Sequence, residues 1–190
     1  DSYIDYMENI SWVAASGSDL SRYLFNQEQM PEEKEAAKER ILTQFTTILE
    51  SRSDIYNVAA VADNGEALIN SGADRLNKYV DVRQQSWYQE AVRADGRCLL
   101  IGPHVPDYIT PRDTPVISLA RSIVVLESRD PLYVIKIDVN TRIFDRLFQN
   151  FTFHVDSKII IKDENQRIIY ANRPLSDEDR ETLENTPGAA

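Results

Sequence analysis

Apolar residues in the first 52 positions recur every three or four residues, which is the period of an amphipathic helix. The first stripe of this kind contains Ile4, Met7, Ile10, Val13, Leu20 and Leu24. Ser16-Gly17-Ser18 predicts a break within it, after which Ser18 or Asp19 restarts the helix as an N-cap. A second helix is predicted from Pro31 to about Arg52, because proline suits a first turn and the glutamates that follow it complement the helix dipole.

From residue 55 the pattern changes to short apolar runs separated by turn residues. Residues 56–62 and 67–69 flank Asn64-Gly65, and two apolar runs around an Asn-Gly turn predict a β-hairpin. The other elements predicted in this part of the chain are a helix at 88–94, strands at 98–102, 116–125 and 132–137, and a hairpin turn at 128–131.

Four prolines, Pro103, Pro106, Pro111 and Pro115, predict an irregular loop, because proline has no backbone N–H to donate. After Asn140 the pattern is helical again, and residues 158–162 and 167–170 then repeat the pattern of the first hairpin. The repetition indicates a second copy of one supersecondary unit. The predicted fold class is α+β, divided into N-terminal helices at 1–52, a main sheet domain at 53–139, and a connecting helix with a smaller unit at 140–190.

Composition and charge exclude several functions. The 190-residue chain has 31 acidic and 21 basic residues and a net charge of −10, so a nucleic-acid partner is not expected. Its single cysteine, Cys98, excludes an intrachain disulfide and any site with several cysteine ligands. No run approaches the roughly 20 apolar residues of a membrane span. Because the sequence begins at Asp1 rather than Met, it is expected to be part of a longer protein.

Catalytic patterns are weak throughout the sequence. His104 and His154 have no partners at metal-ligand spacing, and no nucleophile elbow or phosphate-binding glycine loop is present. Neither a catalytic residue nor a metal nor a cofactor is therefore predicted, and the chain is not expected to be an enzyme.

Three segments resemble the double Cache family of extracytoplasmic sensor domains. Residues 81–91, with Trp87-Tyr88, are similar to the Asp-x-Arg-x-Arg-Pro-Trp-Tyr-x-x-Ala segment of that family. Residues 132–139, which include Asp138, resemble its late strand, and residues 116–123 resemble the strand between them. The likeness covers about residues 1–172 and looks closest to the sensor regions of YesM-type histidine kinases of Gram-positive bacteria.

The resemblance implies a long N-terminal helix, a PAS-like antiparallel sheet with flanking helices, and a smaller, truncated PAS-like unit. By this likeness, 53–139 is a membrane-distal ligand-binding domain and 140–190 contains a membrane-proximal domain. The implied function is extracellular sensing of a small molecule by a membrane-anchored, homodimeric two-component histidine kinase. The alternatives are the sensor of a chemoreceptor or diguanylate cyclase, and a dimerisation or protein-interaction module that binds no small molecule.

The candidate ligand-binding residues lie in or near these segments: Trp87, Tyr88, Asp138, Gln85, Arg121, His104, Tyr108 and Arg83. In amino-acid-binding members of the family, the second arginine of the Trp-Tyr segment holds the ligand carboxylate. Gln85 occupies that position here, with Ser86 in place of the proline, and a neutral amide cannot form a bidentate cationic pair. A carbohydrate-like ligand is therefore expected ahead of an amino acid, since the aromatic faces of Trp87 and Tyr88 suit sugars.

Each candidate also has a structural interpretation. Of Trp87 and Tyr88, one is expected to face the pocket and the other the core. Asp138 either accepts a hydrogen bond from a ligand or caps the helix after Asn140. Arg83 and Arg121 could instead tie down loops through acidic neighbours, Asp81 or Glu127, and His104 and Tyr108 could be ordinary residues of a surface loop.

Overall fold

A computed structural model describes residues 2–26, 28–70, 75–110, 114–125, 132–148, 157–162 and 166–179. Three helices come first: α1 (Ser2–Ala15), α2 (Ser18–Phe25) and α3 (Pro31–Ser51). The predicted break is confirmed, because Gly17 precedes α2 with a φ of 123°, a conformation that favours glycine. The predicted start of α3 at Pro31 is confirmed as well, and Glu32 and Glu33 lie in its first turn.

The remaining elements form antiparallel sheets with short helices between the strands. In chain order they are β1 (Ile55–Ala62), β2 (Ala67–Asn70), β3 (Arg75–Leu76), a 3-10 turn (Val82–Gln84), α4 (Ser86–Arg93), β4 (Leu99–His104), β5 (Ile109–Thr110), β6 (Val116–Val124), β7 (Leu132–Asn140), α5 (Ile143–Phe148), β8 (Ile160–Lys162) and β9 (Ile168–Ala171). The main sheet has the order β2-β1-β7-β6-β4, and the pairs β3-β5 and β8-β9 are separate. The predicted hairpins β1-β2 and β8-β9 are present, and β6 pairs with β7 in antiparallel orientation, as the third predicted hairpin requires.

The main sheet is covered on both faces, and residues alternate between those faces along each strand. On β7, Tyr133, Ile135 and Ile137 pack with the core residues of α1 and α3. Val134 belongs to a second cluster that contains Trp87 and Tyr88 of α4. The even-numbered residues of β7 therefore face α4, and that face contains the candidate site.

The proline-rich segment is more regular than predicted. Pro103 lies inside β4, and a two-residue strand, β5, lies within the expected loop. Proline is tolerated there because β4 is the edge strand of the sheet, and its register with β6 shifts between Ile101 and His104. Strand β7 also continues beyond the predicted end at 137, as far as Asn140.

The β8-β9 hairpin packs against the edge of the main sheet at β4. A Cβ atom added at Gly102 of β4 would lie 3.3 Å from the carbonyl oxygen of Ile168, so the two backbones approach closely. The predicted turn at 128–131 and His154 lie outside the described residues.

Candidate functional site

Five fully buried polar side chains meet on the α4 face of the sheet. They are Asn57 of β1, Tyr108 before β5, Ser118 of β6, and Lys136 and Asp138 of β7, each with 0% of its surface exposed. We call this group the buried polar cluster. Two members of the cluster, Lys136 and Asp138, form an ion pair. Burying an ion pair has a large desolvation cost, so its presence in an otherwise apolar core indicates a specific role.

Asp138 is the centre of the cluster, because four donors point at its carboxylate. Oδ2 accepts hydrogen bonds from Tyr108 Oη at 2.7 Å and Asn57 Nδ2 at 3.0 Å. Oδ1 accepts from Ser118 Oγ at 2.5 Å and forms an ion pair with Lys136 Nζ. Burial alone would raise the pKa of Asp138, but Lys136 and the hydroxyl donors lower it below its ordinary value. The carboxylate is therefore ionised at neutral pH.

Lys136 contacts both polar groups and aromatic rings. Its ammonium group donates to Tyr108 Oη at 3.2 Å and to His104 Nε2 at 3.3 Å, and it lies 5.1 Å from the centre of the Trp87 ring. Burial lowers the pKa of Lys136, although the adjacent Asp138 acts in the opposite direction. Together the two side chains form a compensated pair with no net charge.

His104 joins the cluster through one ring nitrogen. Its Nδ1 lies 2.9 Å from the carbonyl oxygen of Gly102, and a carbonyl can only accept, so Nδ1 carries the proton. The unprotonated Nε2 then accepts from Lys136. Burial and the charge of Lys136 lower the pKa of His104, while Gly102, Asp138 and Asp107 raise it less.

This environment predicts that acidification destabilises the protein through His104. Since the folded-state pKa lies below the reference value of 6.5, the unfolded chain binds the proton first. The stabilisation is fully present above that value and is lost as pH falls from it towards the folded-state pKa, by at most about 1.4 kcal/mol per pH unit. Urea unfolding between pH 7.5 and 5 measures the slope, which we expect His104→Gln to flatten. An unchanged slope in the variant would contradict this assignment.

Trp87 and Tyr88 lie together beside the cluster. Their ring centres are 5.9 Å apart, and Trp87 also packs on Tyr108 at 5.4 Å. The expected division, with one ring facing the pocket and the other the core, is not observed, because both are buried in the same group on this face. Burial raises the pKa of Tyr88 to about 12, so the hydroxyl is protonated.

Three buried polar atoms here have no hydrogen-bond partner among the described residues: Trp87 Nε1, Tyr88 Oη and Asn57 Oδ1. A buried donor or acceptor without a partner costs roughly 1–3 kcal/mol, and such groups are uncommon in folded proteins. The acceptor belongs to the buried polar cluster and the two donors to the aromatic side chains beside it, an arrangement suited to a ligand with complementary groups.

The other candidates lie at the margin of the cluster or away from it. Gln85 is the half-buried N-cap residue of α4 and makes no side-chain capping bond. Arg83 pairs with Asp81 through bonds of 2.9 and 3.0 Å and donates to the Asp63 carbonyl, as the structural interpretation predicted. Arg121 lies on the opposite face of the sheet, with its guanidinium 4.4 Å from the centre of the Trp12 ring.

Two structural alternatives from the sequence are wrong. Tyr108 is not a surface residue, because its ring is completely buried and its hydroxyl bonds Asp138. Asp138 does not cap α5, since Asn140 Oδ1 accepts the bond from the backbone N–H of Arg142 near the start of that helix.

Sequence reasoning missed Lys136, Asn57 and Ser118. The signal for Lys136 was the alternation Val134, Lys136, Asp138, which places a lysine and an aspartate on the same face of one strand. Within the described ranges, no group of three potential metal ligands occurs. In that same part of the chain, no helix has the length and apolar character needed to cross a membrane.

Neither a family model nor a curated protein matches this chain. Solved structures do match. The ligand-binding domain of the Campylobacter jejuni chemoreceptor Tlp3, in complex with 4-methylisoleucine, aligns with a TM-score of 0.61 and 13% identity over 100% of this chain and 67% of that chain. The ligand-binding domain of the Pseudomonas fluorescens chemoreceptor CtaA, in complex with L-leucine, aligns with a TM-score of 0.57 and 13% identity. That alignment covers 88% of this chain and 62% of that chain.

A third similar structure is the ligand-binding domain of the Pseudomonas aeruginosa amino acid chemoreceptor PctC in complex with GABA. Its TM-score is 0.56, with 16% identity over 88% of this chain and 66% of that chain. The chain thus spans about two thirds of the length of these domains. The predicted α+β, PAS-like fold is confirmed, and this chain has the fold of bacterial chemoreceptor ligand-binding domains.

Proposed function

We propose that this chain is the ligand-sensing domain of a bacterial chemoreceptor and that it binds a small zwitterion, such as an α-amino acid or an ω-amino acid, at the buried polar cluster. The observation that carries the proposal is a set of buried atoms without a hydrogen-bond partner among the described residues. Trp87 Nε1 and Asn57 Oδ1 belong to side chains that contact the compensated Lys136–Asp138 pair, and Tyr88 Oη belongs to the ring packed against Trp87. The similar solved domains hold amino acids or GABA, which agrees with this ligand class.

The charge of the cluster favours a ligand without net charge. Because Lys136 and Asp138 compensate each other, a ligand with net charge would add an unpaired charge to a fully buried site. A zwitterion adds no net charge and brings both kinds of hydrogen-bonding group. Its carboxylate can accept from Trp87 and Tyr88, and its ammonium group can donate to Asn57.

The expectation of a carbohydrate-like ligand has no support among the similar structures, and the proposal replaces it. That expectation depended on Gln85, which cannot supply a cation to a carboxylate. Lys136 is compensated by Asp138 and donates to Tyr108 and His104, so the neutral donors Trp87 Nε1 and Tyr88 Oη are proposed to recognise the carboxylate. An arginine at position 85 is then not required.

Ligand entry requires movement, because Trp87 and Tyr108 pack directly over Lys136 at 5.1 and 4.8 Å. We propose that α4 and the segment at 105–110 move outwards in the bound state. A ligand shifts such an equilibrium only through its higher affinity for one state. This movement in the distal domain at 53–139 would displace the helices at 1–52 and the domain at 140–190, and that displacement would transmit the signal.

The proposed setting is the extracellular face of the membrane, in a homodimeric, membrane-anchored receptor. The similar structures are chemoreceptor domains, which favours chemoreceptor output over the histidine kinase output that the resemblance to YesM-type kinases implies. The domain itself is proposed to sense and not to catalyse.

A thermal-shift panel tests the proposal. It should contain the proteinogenic amino acids, GABA, sugars, and dicarboxylates. A ligand at 100 times its Kd adds about 2.7 kcal/mol, which raises the midpoint of a domain this size by roughly 5–10 °C. We expect at least one zwitterion to produce such a shift and sugars to produce none. A shift with sugars alone, or with no compound of the panel, would contradict the proposal.

A further inference from the structure

Helix α4, which carries Trp87 and Tyr88, is connected to the β8-β9 hairpin by an ion pair. Arg167, the residue before β9, donates to the two carboxylate oxygens of Glu90 at 3.1 and 2.9 Å. Glu90 follows Trp87 by three residues and therefore lies about one turn further along the helix. The ion pair thus restrains α4 close to the aromatic residues of the proposed site.

The hairpin is also attached to the main sheet, independently of this ion pair. Ile169 of β9 is buried in the core cluster that contains residues of the sheet and of α1 and α3. The backbone of Ile168 lies close to Gly102 of β4. Burial of an isoleucine side chain stabilises a contact more than a partly exposed ion pair does. When α4 moves, the ion pair is therefore expected to break while the hairpin stays on β4.

We infer that the Glu90–Arg167 ion pair is a latch that holds α4 in its closed position and that opens when ligand binds. The inference rests on the proposed function, in which α4 moves outwards in the bound state. Glu90 and Arg167 are positioning residues, because they act through the helix that carries Trp87 and Tyr88 and not by contact with the ligand. Ligand binding releases the hairpin from α4, so the state of the site reaches the domain at 140–190.

Hydrogen exchange of the purified chain without ligand tests the latch. A detached helix of eight residues is unstable in water, so the amides of residues 89–94 exchange when α4 leaves the sheet. Glu90→Gln should raise their exchange rate by about threefold, because an exposed ion pair contributes only a small free energy. Arg167→Gln should raise it as well, although this residue lies outside the helix. A rise in Glu90→Gln alone would be a local effect on the helix and would overturn the latch, as would unchanged rates in both variants.

Asp19→Asn is the matched control. Asp19 accepts two bonds from Arg40, at 2.8 and 2.9 Å, so the substitution weakens an ion pair of the same geometry between α2 and α3. We expect it to leave the exchange of residues 89–94 unchanged. An equal rise in Asp19→Asn and Glu90→Gln would indicate general destabilisation and would count against the latch.

Calorimetric titration with GABA and L-leucine, which are bound in two of the similar domains, gives a second result. Whichever of them binds the unmodified chain should bind Glu90→Gln about threefold more tightly, because the latch no longer opposes opening. Unchanged or weaker binding would mean that the ion pair is structural and would overturn the latch. If no zwitterion of the panel binds, the proposed function is contradicted instead, and the exchange rates measured without ligand still decide whether the ion pair holds α4 closed.

Discussion

The variant Lys136→Met is expected to lower the free energy of unfolding by about 3–5 kcal/mol. Methionine fills much of the space of the lysine side chain, so the loss comes mainly from charge and hydrogen bonding and not from a cavity. Asp138 would remain fully buried with its three neutral donors but without its counter-ion. Urea denaturation at pH 7 measures the effect.

A control and a second-site change make this prediction specific. Lys38→Met removes a lysine from an exposed ion pair with Glu35 on α3, and such pairs contribute less than about 1 kcal/mol. The double variant Lys136→Met/Asp138→Asn should be more stable than Lys136→Met, because no uncompensated charge remains. If Lys136→Met and Lys38→Met destabilised the protein equally, the buried ion pair would not have the assigned importance.

The variant Tyr88→Phe is expected to weaken zwitterion binding by about 10-fold or more while it increases the stability of the free protein by about 1 kcal/mol. The hydroxyl of Tyr88 is buried and has no partner among the described residues. Removing it relieves a desolvation cost in the free protein and deletes a donor to the ligand carboxylate. Opposite signs for stability and affinity are typical of a group retained for binding.

Tyr133→Phe is the matched control for Tyr88→Phe. The hydroxyl of Tyr133 donates to the carbonyl oxygen of Ala15 at 2.9 Å, on the opposite face of the sheet. Its removal should lower stability by about 1 kcal/mol and leave ligand affinity unchanged. Unfolding and titration of both variants give the comparison. A Tyr88→Phe variant with lower stability and unchanged affinity would show that the hydroxyl is structural.

The helices and most strands could be predicted because their signals are local. Apolar spacing gave α3, and the Asn64-Gly65 turn gave the β1-β2 hairpin, both of which are present. The prediction of a loop at Pro103 was wrong because β4 is an edge strand, where proline is tolerated. Whether a strand lies at the edge depends on the strand order of the sheet, which a local sequence pattern does not contain. Strand order is a property of the whole fold.

The candidate site was predicted only in part, for a related reason. Trp87, Tyr108 and Asp138 do come together, although Tyr108 and Asp138 are 30 residues apart in sequence. Ser118 bonds Asp138 and therefore faces the cluster. Arg121 lies three positions further along the same strand, and residues an odd number of positions apart face opposite sides of a sheet, so Arg121 faces away from the cluster. The register that pairs Ser118 with Asp138 was needed to see this.

The indole N–H of Trp87, which has no partner among the described residues, is proposed to bind the ligand, and NMR of the indole N–H groups can detect that contact. The chain contains two tryptophans, Trp12 and Trp87. Trp12 is 54% exposed on α1, on the other side of the sheet, and serves as an internal reference. During titration with the zwitterion found by the panel, we expect the Trp87 signal to shift to saturation and the Trp12 signal to remain in place. Saturable binding that leaves the Trp87 signal unmoved would contradict the account.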